Sequence, residues 1–502
     1  MCYAVRIKAH KCLELCFVGF FLFGCVKSNE NLTFNELKVV RDLAVKPPQF
    51  TPPSIETFHL NNNVKVYFAQ DDEVPLFSCT LIFPRGSLDR TKDRLASYLS
   101  LGSMMRTGGA GGLTSDQLDL ELQNLSANIS VSVGAEASTI SFSGLNSDFN
   151  AVGELVKKVW KKPAFNQDRI SLWKSQVIES IARRKDTPEG VAGTAFSQIL
   201  YKGAFIANPI TRKEVSDLTQ NDLIKLHSDI FNPKGMTVLL SSAVDQGSAK
   251  NLLNSFLGDQ TVSESTVEEK TITNTARDIS RLKTKSGIYF IEKPFQQSSV
   301  YLGIIGPKRF TPDYPAIDVF NGILGSNGEF SSMLVQEVRT RLGLTYSIIG
   351  GVFPDEPIGR SFIGLQTKNE SVGLALKASL DTINSIIEGK FPKHLPSDVK
   401  NAISNSYIFG FDSIYSVASR KAFLDLLGYP KDYDLTYLPK IELVTDEQIS
   451  AVAAKYWDIN KAIIVVVGDK KAKKSLQDAI SKRWLPNLPI KELTFEEQLA
   501  GL

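Results

Sequence analysis

Histidine is scarce in this chain: 502 residues carry only His10, His59, His227 and His394. None falls between residues 60 and 226, so a helix-borne pair of histidines is excluded there, and His59, His227 and His394, lacking an i+3 or i+4 partner, read as surface or loop residues. Cysteine is nearly as rare, at Cys2, Cys12, Cys16, Cys25 and Cys79. Once an N-terminal leader is set aside, one or two thiols remain, too few for a disulfide framework. Cys79 sits in the apolar run Leu76 to Phe83 and reads as a small buried hydrophobe. No basic stripe or tail accompanies the formal charge of +3, which argues against nucleic acid as a partner. There is no G-x-S-x-G elbow, no P-loop and no Cys/His cluster, so serine-hydrolase, nucleotide and structural-zinc chemistry have no support.

Long apolar runs are also missing. The one near the start, Cys16 to Gly24, is about half the length that crosses a bilayer. Arg6, Lys8 and Lys11 precede it, and the arrangement reads as an export signal over 1–24. It ends in Leu22-Phe23-Gly24-Cys25, which resembles a bacterial lipobox with Cys25 as the acylated residue; an ordinary signal with an incidental cysteine is the alternative. Residues 25–54 are polar and proline-containing and suit a tether. An acyl chain at Cys25 would anchor the chain on the periplasmic side of a bacterial membrane. Val26 lacks the acidic character that favours inner-membrane retention, which points to the outer membrane.

With 43% hydrophobic and 22% charged residues, the remainder is of ordinary globular composition and long enough for two cores. An internal repeat organises it. Around Thr219 and again around Thr445, a capping threonine opens an amphipathic helix, an aromatic stop follows, and then an apolar strand. Each half also begins alike, with a strand, a loop and a second strand (Val64–Phe68 then Leu76–Phe83; Gly287–Ile291 then Val300–Ile305). The pattern predicts an α+β chain of two homologous domains, 55–258 and 284–490. Each would be a mainly antiparallel sheet with helices packed on one face, joined by a Ser/Thr/Glu-rich linker at 259–283.

Several stretches give this pattern a family likeness. They are Phe83-Pro-Arg-Gly-Ser87, the glycine-rich Arg106 to Gly112, Asp186-Thr-Pro188, and above all Gln336-Glu-Val-Arg-Thr-Arg-Leu-Gly-Leu-Thr-Tyr346. From about 55 to 490 the chain resembles the pitrilysin/insulinase-type (inverzincin) metallopeptidases. In particular it resembles the zinc-less chain of heterodimers like the mitochondrial processing peptidase, one half of a clamshell. Active members carry H-x-x-E-H on the first long helix, where two histidines one turn apart hold zinc and the glutamate serves as base. The resemblance aligns Ser97 and Leu101 with the histidines, Ser100 with the base, Glu179 with the later zinc-ligand glutamate, and Leu172 with a helper acid. The catalytic set is absent as a group, so no cofactor is expected here and zinc is expected only in a partner.

The same resemblance assigns Arg339 and Tyr346 to an Arg/Tyr pair that reaches substrate in complex. The residues alone equally allow Arg339 to pair a carboxylate such as Glu337 and Tyr346 to pack at a strand start. Gly325 to Phe330 corresponds to a glycine-containing loop that touches substrate in such partners, or is an ordinary helix-entry loop. The alternating strand from Ile129 matches one to which substrate adds as a strand, or is a core strand. The implied function is a non-catalytic subunit that contributes substrate contacts to a zinc-bearing homologous partner acting on peptides. The alternative is a structural or peptide-binding lipoprotein of the same fold.

Overall fold

The computed structural model describes residues 50–92, 94–258 and 274–494. The leader, Cys25, most of the tether and the first part of the expected linker lie outside the described residues. The rest of that linker is held in place. The Ala276 amide donates to the Arg90 carbonyl at 2.9 Å, and Arg277 pairs Asp89 at 3.0 Å.

Two six-stranded sheets carry the chain. The first contains β1 (Glu56–His59), β2 (Lys65–Gln70), β3 (Leu76–Phe83), β4 (Asn128–Val133), β5 (Ser138–Leu145) and β6 (Thr237–Ser242), in the order β1-β2-β6-β3-β5-β4. The second contains β7 (Gly287–Glu292), β8 (Gln297–Ile305), β9 (Ile348–Phe353), β10 (Arg360–Lys368), β11 (Ile463–Gly468) and β12 (Ile490–Leu493), in the order β12-β7-β11-β8-β10-β9. Five strands keep the same order in both. In each sheet the pair formed by the first and last of these, β2–β6 and β7–β11, is parallel, while the inner pairs are antiparallel. The outermost pairs break the symmetry, since β1 runs antiparallel to β2 and β12 parallel to β7. The repeated helix signal also has a physical basis. Thr219 and Thr445 each accept the backbone N–H three residues on, from Asp222 at 3.2 Å and Gln448 at 3.3 Å.

Each half packs its own helices on one sheet face, and the opposite face is covered by a helix from the other half. Helix Pro188–Leu200 lies across β8 and β11, and helix Ile414–Leu426 lies across β2 and β6. The strands show both contacts through their two-residue period. In β11, Ile464 and Val466 enter the core of the second half, while Ile463, Val465 and Val467 meet Val191, Ala195 and Phe196. In β2, Val66 and Phe68 face their own core, while Tyr67 and Ala69 meet Ala418 and Ala422. Helices therefore lie on both faces of each sheet. That is why β11 is an unbroken apolar run and does not alternate. Polar ties reinforce the exchange: the Tyr67 hydroxyl donates to Asp425 at 2.8 Å, and Lys65 pairs the same carboxylate at 3.1 Å.

Of the remaining histidines, His227 differs from the surface or loop position expected. It lies on helix Gln220–Ile230, half-buried, where Nε2 donates to the Trp160 carbonyl at 2.7 Å and the ring stacks on Phe231. Burial pulls its pKa down, outweighing the upward effect of that hydrogen bond.

Two outcomes follow from this packing. Phe196→Ala empties a site where Tyr301 and Phe362 meet the ring edge-on, and it lowers stability by about 3–5 kcal/mol, read as a fall in urea midpoint at unchanged slope. For His227, the folded pKa lies below the unfolded value of about 6.5, so its contribution is fully present above that pH and lost as pH falls toward the folded pKa. His227→Gln flattens the decline in melting temperature between about pH 7 and about pH 5. A decline equal to the parent's would assign it to another group.

Candidate functional site

The helix aligned with the zinc motif is Leu95–Thr107. Ser100 is fully buried, and its hydroxyl donates back to the Ala96 carbonyl at 2.8 Å and the Ser97 carbonyl at 3.2 Å. Leu101 belongs to the core of the first half, and Ser97 is buried as well. Glu179 lies on helix Gln167–Arg183 and pairs with Arg183 one turn on, with both side chains mostly in solvent, so the pair contributes little. Leu172 on the same helix is half-exposed. No hydrogen bond among the described residues joins Glu179 to Ser97 or Ser100. Ser97, Ser100 and Leu101 thus form a packed helix face, and Glu179 is a separate solvated carboxylate.

The outer edge of β4, the strand from Ile129, is engaged from this same helix. Arg106 Nε donates to the Ile129 carbonyl at 2.9 Å. At Gly102 the helix backbone meets Val131, and an added Cβ would stand 2.7 Å from its carbonyl oxygen. The strand is at a sheet edge, as strand addition requires, yet its outward groups at Ile129 and Val131 face the chain's own helix. The matching edge of the second sheet is also covered. Asn321 exchanges two hydrogen bonds with the Val352 backbone at 2.7 and 2.8 Å, and Gly325 accepts from the Gly350 amide at 3.1 Å.

Arg339 and Tyr346, seven positions apart, are brought together. Residues Val335–Arg341 form a widened, π-helical turn in which the Leu342 amide reaches back to Glu337 at 3.1 Å. Gly343, with φ of +61°, then reverses the chain in a conformation that side-chain-bearing residues seldom adopt. The Leu344 carbonyl is fixed by the Thr367 hydroxyl at 2.6 Å, and Thr345 Oγ1 donates to the Ser347 carbonyl at 2.7 Å. The result places the Arg339 guanidinium carbon 5.0 Å from the centre of the Tyr346 ring. A second ring joins it, because Phe330 lies 4.6 Å from the same carbon. Both rings face solvent, Phe330 at 67% and Tyr346 at 85% exposure.

The alternative partner, Glu337, is taken by Arg341, whose hydrogen bonds hold the Glu337 carboxyl below its ordinary range. Among the described residues no carboxylate pairs with Arg339. Phe330 is the member that residue spacing does not reveal. It closes the loop from Gly325, and its carbonyl accepts from the Gln336 side-chain amide. Only the turn of the chain sets it beside a guanidinium nine positions later.

Comparison with known proteins agrees with this architecture. Residues 217–403 match the peptidase M16 inactive domain. An uncharacterized zinc protease of Mycobacterium tuberculosis is 24% identical over 312 residues, covering 62% of this chain and 69% of that protein. The non-peptidase homolog YmxG of Helicobacter pylori is 23% identical over 422 residues, covering 82% of this chain and 93% of its own. Among solved structures, a peptidase M16 inactive domain from Pseudomonas fluorescens superposes with a TM-score of 0.71 at 23% identity, over 83% of this chain and 98% of that one. A Helicobacter pylori protease superposes with a TM-score of 0.69 at 15% identity, over 83% and 99%. The structural likenesses speak for the fold alone. Taken with the matched domain and the sequence relatives, they show that this chain is similar in fold and sequence to the peptidase M16 proteins, with residues 217–403 matching their inactive domain.

Proposed function

We propose that the chain is the zinc-less, non-catalytic subunit of a heterodimeric metallopeptidase, lipid-anchored through Cys25 on the periplasmic face of the outer membrane. One observation carries the reading. The positions aligned with the zinc motif are packed into a core, while a half-buried Arg339 and an exposed Tyr346 stand together, with no carboxylate paired to Arg339 among the described residues. A zinc-bearing homologous subunit would supply the metal-activated water. This chain would supply binding: the Arg339 guanidinium donates to an oxygen acceptor of the bound peptide, and the Tyr346 phenol donates toward the oxyanion that develops at the cleaved bond.

The name of one relative, a non-peptidase homolog, favours a second reading, in which the same surface binds peptide or serves structure with no proteolytic partner.

The full-length chain, tagged and recovered from its native host, is expected to bring down a sister with H-x-x-E-H and zinc-dependent peptide cleavage. Arg339→Met or Tyr346→Phe should then lower kcat/KM of the complex by roughly a hundredfold. Recovery of the chain alone, or a complex indifferent to both substitutions, leaves the second reading. Stability gives an independent check on the closed motif helix. Leu101→His introduces a polar ring into the core and should cost about 2–4 kcal/mol, with no recovery of melting temperature in zinc. A zinc-stabilised variant would show that the metal site survives in latent form.

A further inference from the structure

We propose that Phe330, Arg339 and Tyr346 form a carboxylate-recognition site, so that the peptides this chain takes are those offering a free C-terminus or an acidic side chain. This rests on the peptide-binding reading above and adds the ligand's chemistry. Three features point to it.

The first is the unspent donors of Arg339. Arg339 is half-buried, and no hydrogen bond from its guanidinium to an acceptor is found among the described residues. Its two ring neighbours attract the cation through their π-faces but offer the N–H groups no acceptor there. A fork of up to five donors is then left for a ligand. A carboxylate matches that fork with two parallel charge-assisted bonds, where a neutral peptide carbonyl has one oxygen to offer.

The second is charge. The nearest acid in sequence, Glu337, is already committed to Arg341. Glu329, beside Phe330, accepts from the Asn327 side-chain amide at 2.9 Å. Neither acid forms an ion pair with Arg339 among the described residues.

The third is preorganisation. Phe330 is held by Gln336, the Tyr346 loop by Thr345 and Thr367, and the arginine by the widened turn itself. Two large rings, exposed at 67% and 85%, therefore stand beside one cation on a backbone that is already hydrogen-bonded. The entropy of ordering that backbone does not count against binding. The outer surfaces of the rings give apolar walls for the residues flanking the carboxylate.

The test is fluorescence polarisation of the full-length chain with a fluorescein-labelled alanine-glycine decapeptide in three forms. One has a free C-terminal carboxylate, one a C-terminal amide, and one a C-terminal amide with a single internal glutamate. At least one carboxylate form is expected to bind about tenfold or more tighter than the plain amide. Which form gains identifies the source, terminus or side chain. Arg339→Met should abolish the preference, and Arg339→Lys, which keeps charge but not the fork, should reduce it. Phe330→Ala and Tyr346→Ala should each weaken it about threefold. Melting temperatures close to the parent's would confirm folded variants. If all three peptides bind equally and Arg339→Met changes nothing, the carboxylate inference is overturned while peptide binding stands. If none binds, with or without the co-purified partner, both are overturned.

Discussion

The fold depends on a reciprocal exchange of helices. The central strands of each sheet are apolar on both faces, and a helix from the other half covers the second face. Helix Pro188–Leu200 leaves the first half to cover β8 and β11, and helix Ile414–Leu426 leaves the second to cover β2 and β6. Small residues at the contacts, Ala192 and Ala195 on one side and Ala418 and Ala422 on the other, let helix and strand backbones approach closely. The consequence is that the two sheets form one cooperative body despite the repeat in sequence. Whatever the N-terminal segment does, the body it would tether is held together by these two faces.

Leu95–Thr107 is wedged between the core of the first half and the edge of β4, with Leu101 inside and Gly102 against Val131. A histidine at Leu101 must be solvated by metal or water. A leucine there contributes apolar burial. The short Ser100 hydroxyl returns its hydrogen bonds to the helix backbone. In the other half of the molecule, a π-helical turn and Gly343 bring one arginine beside two solvent-facing rings.

Much of this was legible in the chain alone. The scarcity of histidine excluded a zinc pair before any coordinates. Capping threonines at Thr219 and Thr445 marked the repeat, because caps are local: a side chain bonds an amide three residues away, and no tertiary context is needed. The stretch from Gln336 to Tyr346 named the Arg/Tyr pair. His227 was misplaced on the surface, because a lone histidine on an amphipathic helix carries no local mark of whether its ring reaches a buried carbonyl, here that of Trp160.

The sequence by itself determined the repeat, the strand and helix content, and the lack of any histidine between residues 60 and 226, all of which are set by residue type and short-range spacing. Only the tertiary structure decided which helix covers which sheet, that Glu337 turns to Arg341 and leaves Arg339 unpaired, and that Phe330 joins the cation as a second ring. Those outcomes rest on competition among partners distant along the chain. Distances of a few ångströms settle that competition, and spacing in sequence does not encode them.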